Sequence, residues 1–274
     1  DILNDTYSMF AYLLSVHTHG KLVPEALACA AEFRKLPLRQ SDNQTLTKLE
    51  KQLKGDDLMP KKPSPKASRF HIFERWPSLS KANILIHAHL HGLPLTKENQ
   101  ADLDVILRQA PKLINAMLKI TSQNKWIQTT VNVLEFSQLL TQGLGPRDSS
   151  LLTLPHFSHS EVRHCGSGKN GCKSLLAFVR AGADHAGRKK GMGKFSDVQC
   201  REVEAVAGAL SDIQITTKVY VDGEPEIAEQ DMITLEVKLT RRNLPAPPGG
   251  DDSDDEDGGD GGDLDLDALR SDKW

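Results

Sequence analysis

The chain has 274 residues, 38% of them hydrophobic and 26% charged, with a net charge of −3, and that length can fill two domains with a sizeable core. No apolar run reaches the ~18 residues of a membrane-spanning helix, no signal peptide is visible, and four cysteines without a CxxC pair exclude a disulfide framework, so reduced thiols are expected. Eleven acids against Arg270 and Lys273 put residues Ala246–Trp274 at −9 and leave a body of +6, a division that suggests charged partners on both sides.

The chain begins at Asp1 with no initiator Met and reads as a fragment. Apolar residues at three- and four-residue spacing predict a first helix over Thr6–His19. A second, with Pro24 in its first turn, is expected to run through Phe33. Ser41-Asp42-Asn43 can cap a third over Gln44–Leu53, ended by Gly55. Asp56–Ser68 is Pro/Lys-rich and reads as an extended, mobile loop. Pro77-Ser78 opens the next helix, which Gly92-Leu93-Pro94 stops. Thr96 is a good N-cap for a long helix through Ile120, which Pro111 is expected to kink or split.

Trp126–Phe157 reads as the stretch around which the chain is organised. Ile127, Val131, Val133, Leu134, Phe136, Leu139 and Leu140 point nearly all round a helix, and Glu135 is the one charge between Thr129 and Gly145. Such a helix is expected to be buried on every side, so that Leu134→Asp would place an unpaired charge in a core. Gly143, Gly145 and Pro146 end it, and Ser149–Phe157 is expected to run extended into a cap at Ser158.

A smaller helical unit follows. It has one or two turns over Ser158–His164, a short helix over Cys172–Ala183 on Leu175, Leu176 and Val179, and a basic Gly-rich loop over Ala186–Lys194. Ser196 then caps Asp197–Leu210, whose apolar face reads as Val198, Val203, Val206 and Leu210. Alternation over Ile213–Val221 and Ile233–Leu239, with Asp222-Gly223 as a turn, predicts two strands with one buried face each. The Gly/Asp-rich segment after them is low-complexity and solvated.

Candidate chemistry is sparse. His87, His89 and His91 form HAHLH, of which only His87 and His91 share a helix face. The Glu of HExxH is missing, so a surface or interface role is expected. His156, His159, His164, Cys165 and Cys172 suit zinc by residue type but match no standard finger spacing. GRKKGMGKFS fails the phosphate-loop register at Arg188 and Phe195, which leaves a solvated basic loop or a nucleic-acid contact. No catalytic constellation, cofactor site or metal site is expected. Asp251, Asp252, Asp254, Asp255, Glu256 and Asp257 form a dense anionic patch, read as either a partner-binding segment or a solubilising linker.

Several stretches in order carry a resemblance. They are Thr6-Tyr7-Ser8-Met9-Phe10, Ala30-Ala31-Glu32-Phe33, Leu79-Ser80-Lys81-Ala82, Ile86-His87-Ala88-His89-Leu90 and Gln109-Ala110-Pro111-Lys112-Leu113. Gln142-Gly143-Leu144, Ser150-Leu151-Leu152-Thr153-Leu154-Pro155-His156 and the strand Ile233–Thr240 follow. From about Thr6 to Arg241 the chain resembles the Sec-sixty-three/Brl homology region. The resemblance implies a mainly α fold: a helical bundle over 1–145, a small helical module over 146–211, and the first strands of an immunoglobulin-like β-sandwich over 212–244. An acidic insertion would occupy 245–268, and the next strand would start at 269–274.

The resemblance further implies a non-catalytic cytosolic docking region of an endoplasmic-reticulum membrane J-protein. Such a region binds the Sec translocon channel and its basic accessory subunit and supports post-translational translocation. Lumenal Hsp70 would be engaged by a J-domain elsewhere, since His-Pro-Asp does not occur here. The same module occurs in spliceosomal and Ski-type RNA helicases, where it would guide RNA. That is the alternative, and a free-standing scaffold is a third.

Overall fold

The computed structural model describes residues 2–69, 71–223 and 226–243, so the expected acidic segment and the strand start after it lie outside the described residues. The chain is mainly α and divides into two compact units between Asp148 and Ser149.

In the first unit α1 (Asn4–Leu13) stops six residues short of the expected His19, because Leu14 turns extended. Its last carbonyls have donors from elsewhere. The Lys66 ammonium donates to the carbonyls of Tyr12, Leu13 and Leu14 at 2.9, 3.3 and 3.2 Å, a cation placed where a helix C-terminus favours one. Lys66 belongs to α4 (Pro65–Arg69), a helix inside the stretch expected to be a mobile loop. The rest of that stretch is tied down as well. The amides of Leu58 and Met59 donate to the Leu53 carbonyl, and the Ser64 amide donates to both oxygens of buried Glu25 at 3.0 and 3.1 Å.

Helix α2 (Val23–Ala28) has its proline in the first turn and ends at Cys29 rather than at Phe33. Ala30 is extended, and a 3-10 turn, Ala31–Lys35, follows. The break aims Glu32 at the start of α1, where it accepts from the Leu3 amide at 2.9 Å and from the Thr6 hydroxyl. Thr6 Oγ1 in turn accepts from the Ala31 amide at 2.8 Å. Helices α3 (Asp42–Gly55) and α5 (Ile72–Arg75) complete the outer layer.

The buried centre is α6 (Pro77–Leu90), not the Trp126 stretch. Nearly every α6 side chain from Ser78 to Leu90 is buried, Lys81, Asn83 and His87 included. Helix α8 (Ile127–Gln142) buries one face only: Thr129, Asn132, Val133, Phe136 and Leu140. Leu134 is 46% exposed and Ile127 76%, so the expectation of a helix buried all round is overturned. The inner face of α8 uses two polar residues that a hydrophobicity reading assigns to solvent. The Thr129 hydroxyl donates to the Ser15 carbonyl at 2.6 Å, and Asn132 Nδ2 donates to the Thr18 carbonyl at 2.9 Å. Gly143 closes α8 in the left-handed region at φ 63°, as its position predicts.

Helix α7 (Lys97–Gln123) is one continuous element capped by Thr96, whose side chain accepts from the Asn99 amide. The expected split at Pro111 does not occur. Pro111 is on the exposed side, where a carbonyl left unpaired by the missing N–H faces solvent. The start of α7 is fixed to α6 and α3 by ions. Lys81 Nζ lies 2.7 Å from Asp42 and 2.6 Å from Asp102, and donates to the Pro37 carbonyl at 2.9 Å. Arg39 grips Asp102 with both guanidinium arms, at 2.5 and 3.1 Å. Burial alone would raise the Asp102 pKa, but hydrogen bonds from Arg39 and Lys81 outweigh it and hold the carboxyl below its ordinary value.

In the second unit Ser150–Thr153 is a 3-10 turn rather than extended chain, with Leu151 buried. Helix α9 (His159–Cys165) opens with a capping box between Ser158 and Glu161. Helix α10 (Leu175–Arg180) buries Phe178, while Leu176 is exposed. The expected basic loop contains a helix, α11 (Ala186–Gly191). Its glycines have a packing purpose. A Cβ on Gly187 would meet the Cys172 amide nitrogen at 2.9 Å, and one on Gly191 would meet Cys165 Cβ at 2.8 Å. Helix α12 (Asp197–Ala209), capped by Ser196 and Gln199, buries Val203 and Ala207. Val198 and Val206, expected inside, are exposed.

Strands β1 (Ile213–Tyr220) and β2 (Thr234–Arg241) form an antiparallel pair. The register sets Ile215 opposite Leu239, Thr217 opposite Val237 and Val219 opposite Leu235 on one face, with Lys218 opposite Glu236 on the other. Among the described residues nothing covers the apolar face, so the buried face expected for each strand is exposed. Asp212, just before β1, takes a two-armed bond from Arg180 at 2.8 and 2.8 Å. That bond holds the Asp212 carboxyl below its usual range.

Candidate functional site

The sequence features with chemical promise fall into different places. The patch Asp251, Asp252, Asp254, Asp255, Glu256 and Asp257 lies outside the described residues. The residues suited to zinc by type do not converge. His156 Nε2 faces Glu202 at 2.5 Å, while Cys165 and Cys172 meet each other. The Cys172 thiol donates to Nδ1 of His185, 3.5 Å away, a histidine the spacing argument missed. Among the described residues no group of three or more ligating side chains forms. Burial first, then Cys172, pushes the Cys165 thiol up to about 11, which makes it a poor nucleophile.

The basic Gly-rich segment does not offer its arginine to a partner. Arg188 is buried. It lies 4.4 Å over the Phe178 ring, donates to the Ala181 carbonyl at 2.6 Å and pairs with Glu204. The guanidinium is a structural piece of the second unit's core, and the reading of a solvated loop is corrected there. Lys189 pairs with Asp184 at 2.8 Å.

The histidines of HAHLH are tied into the fold. His89 Nε2 donates to the Leu140 carbonyl at 2.8 Å, which joins α6 to α8, and His91 Nε2 donates to the Leu58 carbonyl at 3.1 Å. His87 is 4% exposed. Burial above all, and His91 second, lower its pKa to about 4, with the Leu58 carbonyl acting weakly in the opposite direction. The expected surface or interface role does not hold for His87, which is buried because α6 rather than α8 occupies the centre of the unit, while His89 and His91 are partly exposed.

Another outward, charged feature is a stripe on α7. From Val105 to Gln123 the helix has Arg108, Lys112 and Lys119 and no carboxylate. These three, with Asn115, recur at three- and four-residue spacing, and all four are exposed. The opposite face, Ile106, Ala110, Leu113, Met117 and Ile120, is in the core. The buried ion group at Asp102 anchors the start of the helix. Nothing on it is nucleophilic or metal-binding. It can hold an extended polyanion by charge.

The sequence profile described as "Sec63 Brl domain" matches residues 1–257. The chain belongs to the Sec63 Brl domain family. The Brl domain is 33% identical over 238 residues to the U5 small nuclear ribonucleoprotein 200 kDa helicase of Drosophila melanogaster, covering 87% of this chain and 10% of that protein. It is 28% identical to the DExH-box ATP-dependent RNA helicase DExH12 of Arabidopsis thaliana, over 86% of this chain and 10% of that helicase. It is also 26% identical over 258 residues to the Arabidopsis thaliana DnaJ protein ERDJ2A, over 87% of this chain and 37% of that protein. The chain thus spans about a tenth of the helicases' length, and Brl domains occur in both kinds of protein. Among the described residues no helix is long and apolar enough to cross a membrane.

Proposed function

We propose that this Brl domain is the accessory module of an RNA helicase of the spliceosomal type and guides single-stranded RNA along α7. The observation that carries the reading is the cationic face Arg108, Lys112, Asn115 and Lys119, on a helix whose own sequence has no carboxylate after Asp104. The helicase relatives support it, since the highest identity among those named, 33%, is to one of them. The domain itself supplies no chemistry. Backbone phosphates pair with the three cations, and the bases are not read.

The test is fluorescence anisotropy of a labelled single-stranded RNA against potassium chloride. Three phosphate contacts give a log–log slope of about −2. Replacing Arg108, Lys112 and Lys119 together by alanine should flatten that slope and leave the fold intact. Salt-independent binding, or an unchanged slope in the triple variant, removes the helicase reading.

A second reading is the docking region of a translocation J-protein at the endoplasmic-reticulum membrane, favoured by the match to ERDJ2A across 37% of that protein. There, Asp251, Asp252, Asp254, Asp255, Glu256 and Asp257 would bind a basic translocon subunit through salt-sensitive contacts. Binding of basic peptides that depends on residues 251–257, together with absent RNA binding, would favour this reading over the first.

A further inference from the structure

The first unit contains a cavity of about 420 Å³ beside α6 and α8, within the ~300–1,000 Å³ range of small-molecule sites. Its wall is apolar: Leu22, Met59, Leu90, Phe136 and Leu139. Charged groups, among them Lys21, Asp57, Arg147 and Asp148, also border it. His87 lines it, and this side chain is more than nine-tenths buried. Neither His87 ring nitrogen has a partner in hydrogen-bond geometry, the nearby Leu58 carbonyl acting on the ring only weakly, in contrast to His89 and His91 on the same helix. Unpaired buried polar atoms are rare and ask for a partner. The loop over the cavity is pinned through the His91 bond to the Leu58 carbonyl and the Leu58 amide bond to Leu53, so the site is preformed.

We propose that this cavity binds a neutral, mostly apolar aromatic small molecule that makes one hydrogen bond to the His87 imidazole. An ion is disfavoured, because the charges that border the cavity come in both signs, Lys21 and Arg147 against Asp57 and Asp148, and leave no net charge to replace its water. Burial keeps His87 neutral at pH 7, so its ring presents one donor and one acceptor. A hydroxyl, an N–H or a carbonyl on the ligand can each be served. The flat faces of Phe136, His91 and Pro146 favour a ring over a flexible chain. This site is separate from the basic face of α7, and either inference can fail without the other.

The probe is indole, compared with N-methylindole and N-acetyltryptophanamide on the whole chain. Indole should raise the melting temperature and shift the His87 ring ¹⁵N signals. N-methylindole, with the donor removed, should bind about fivefold more weakly, the equivalent of one net hydrogen bond. Leu139→Trp should fill the cavity and abolish binding; if that variant fails to fold, the comparison of the two indoles on the unmutated chain still decides. His87 signals unmoved by millimolar indole, or equal affinity for the two indoles, overturn the proposal. Binding of N-acetyltryptophanamide as tight as indole would overturn it in favour of a tryptophan side chain from a partner protein.

Discussion

The Lys81 ammonium, fully buried, lies 2.6 Å from Oδ2 of Asp102, the same oxygen that Arg39 Nη1 contacts. One anion therefore holds two cations, and α7 is fixed to α6 through it. Losing one partner of a buried ion pair leaves a charge without compensation. Asp102→Asn is expected to lower stability by roughly 3–5 kcal/mol, read by urea unfolding. The folded-state pKa of Asp102 lies below its ordinary 3.8. Its contribution is thus complete above that value and disappears as pH falls through the lower folded-state value. A variant as stable as the parent at pH 7 would show the group to be dispensable.

His87 gives a second, separable acid dependence. The unfolded imidazole takes a proton near 6.5, the folded one only at about 4. Between those values protonation favours the unfolded chain, so stability falls as pH drops from 6.5 to 4 and is flat above. The span corresponds to about 3 kcal/mol. His87→Leu should remove that slope from the curve of unfolding free energy against pH. A slope of the same size in the variant would assign it to other groups.

The faces of α8 predict opposite outcomes two residues apart. Leu134→Asp should change stability by no more than about 0.5 kcal/mol, as for other surface substitutions. Phe136→Ala, at a buried position, should lower it by about 3–5 kcal/mol. Equal effects would restore the reading of a helix buried on all sides.

Gly187 tests the close packing of α11. A Cβ there would meet three backbone atoms, the Cys172 nitrogen at 2.9 Å and the carbonyl oxygens of Asn170 and Cys165 at 3.1 Å each. Gly187→Val should destabilise the second unit by about 1–3 kcal/mol or more, while the tertiary signals of Phe136 and Trp126 in the first stay in place. Gly182→Ala, with open space around it, is the tolerated control.

Much of the helix inventory was legible because caps are local chemistry. Thr96, Ser158, Ser196 and Gly143 mark ends through hydrogen bonds or φ values that their neighbours fix. The central helix was not legible, because centrality depends on what a polar side chain meets. The sequence does not show that Lys81 will meet Asp42 and Asp102, or that His89 and His91 will meet the carbonyls of Leu140 and Leu58. Thr129 and Asn132 mislead for the same reason. Arg188 and its glycines read as a loop because neither Phe178 nor Cys165 is near in sequence. The alternation in β1 and β2 correctly marked strands and their apolar side, but alternation carries no information about what covers that side. The α7 stripe was visible in principle as cations at four-residue spacing. Pro111 in the middle of the stripe masks it, because a proline ordinarily interrupts a helix.

The two bonds from Thr129 and Asn132 to the carbonyls of Ser15 and Thr18 join residues 114 apart in the chain. A ribosome releases the first eighteen residues long before the groups that secure them. Closing a loop of that length costs about 4 kcal/mol in chain entropy, and nothing offsets this until α8 has emerged. Residues 15–18, which follow the end of α1, therefore lack these two bonds through the synthesis of α2 to α7. A nascent chain halted before Thr129 should have that segment open to protease, and one extended past Gly143 should have it closed.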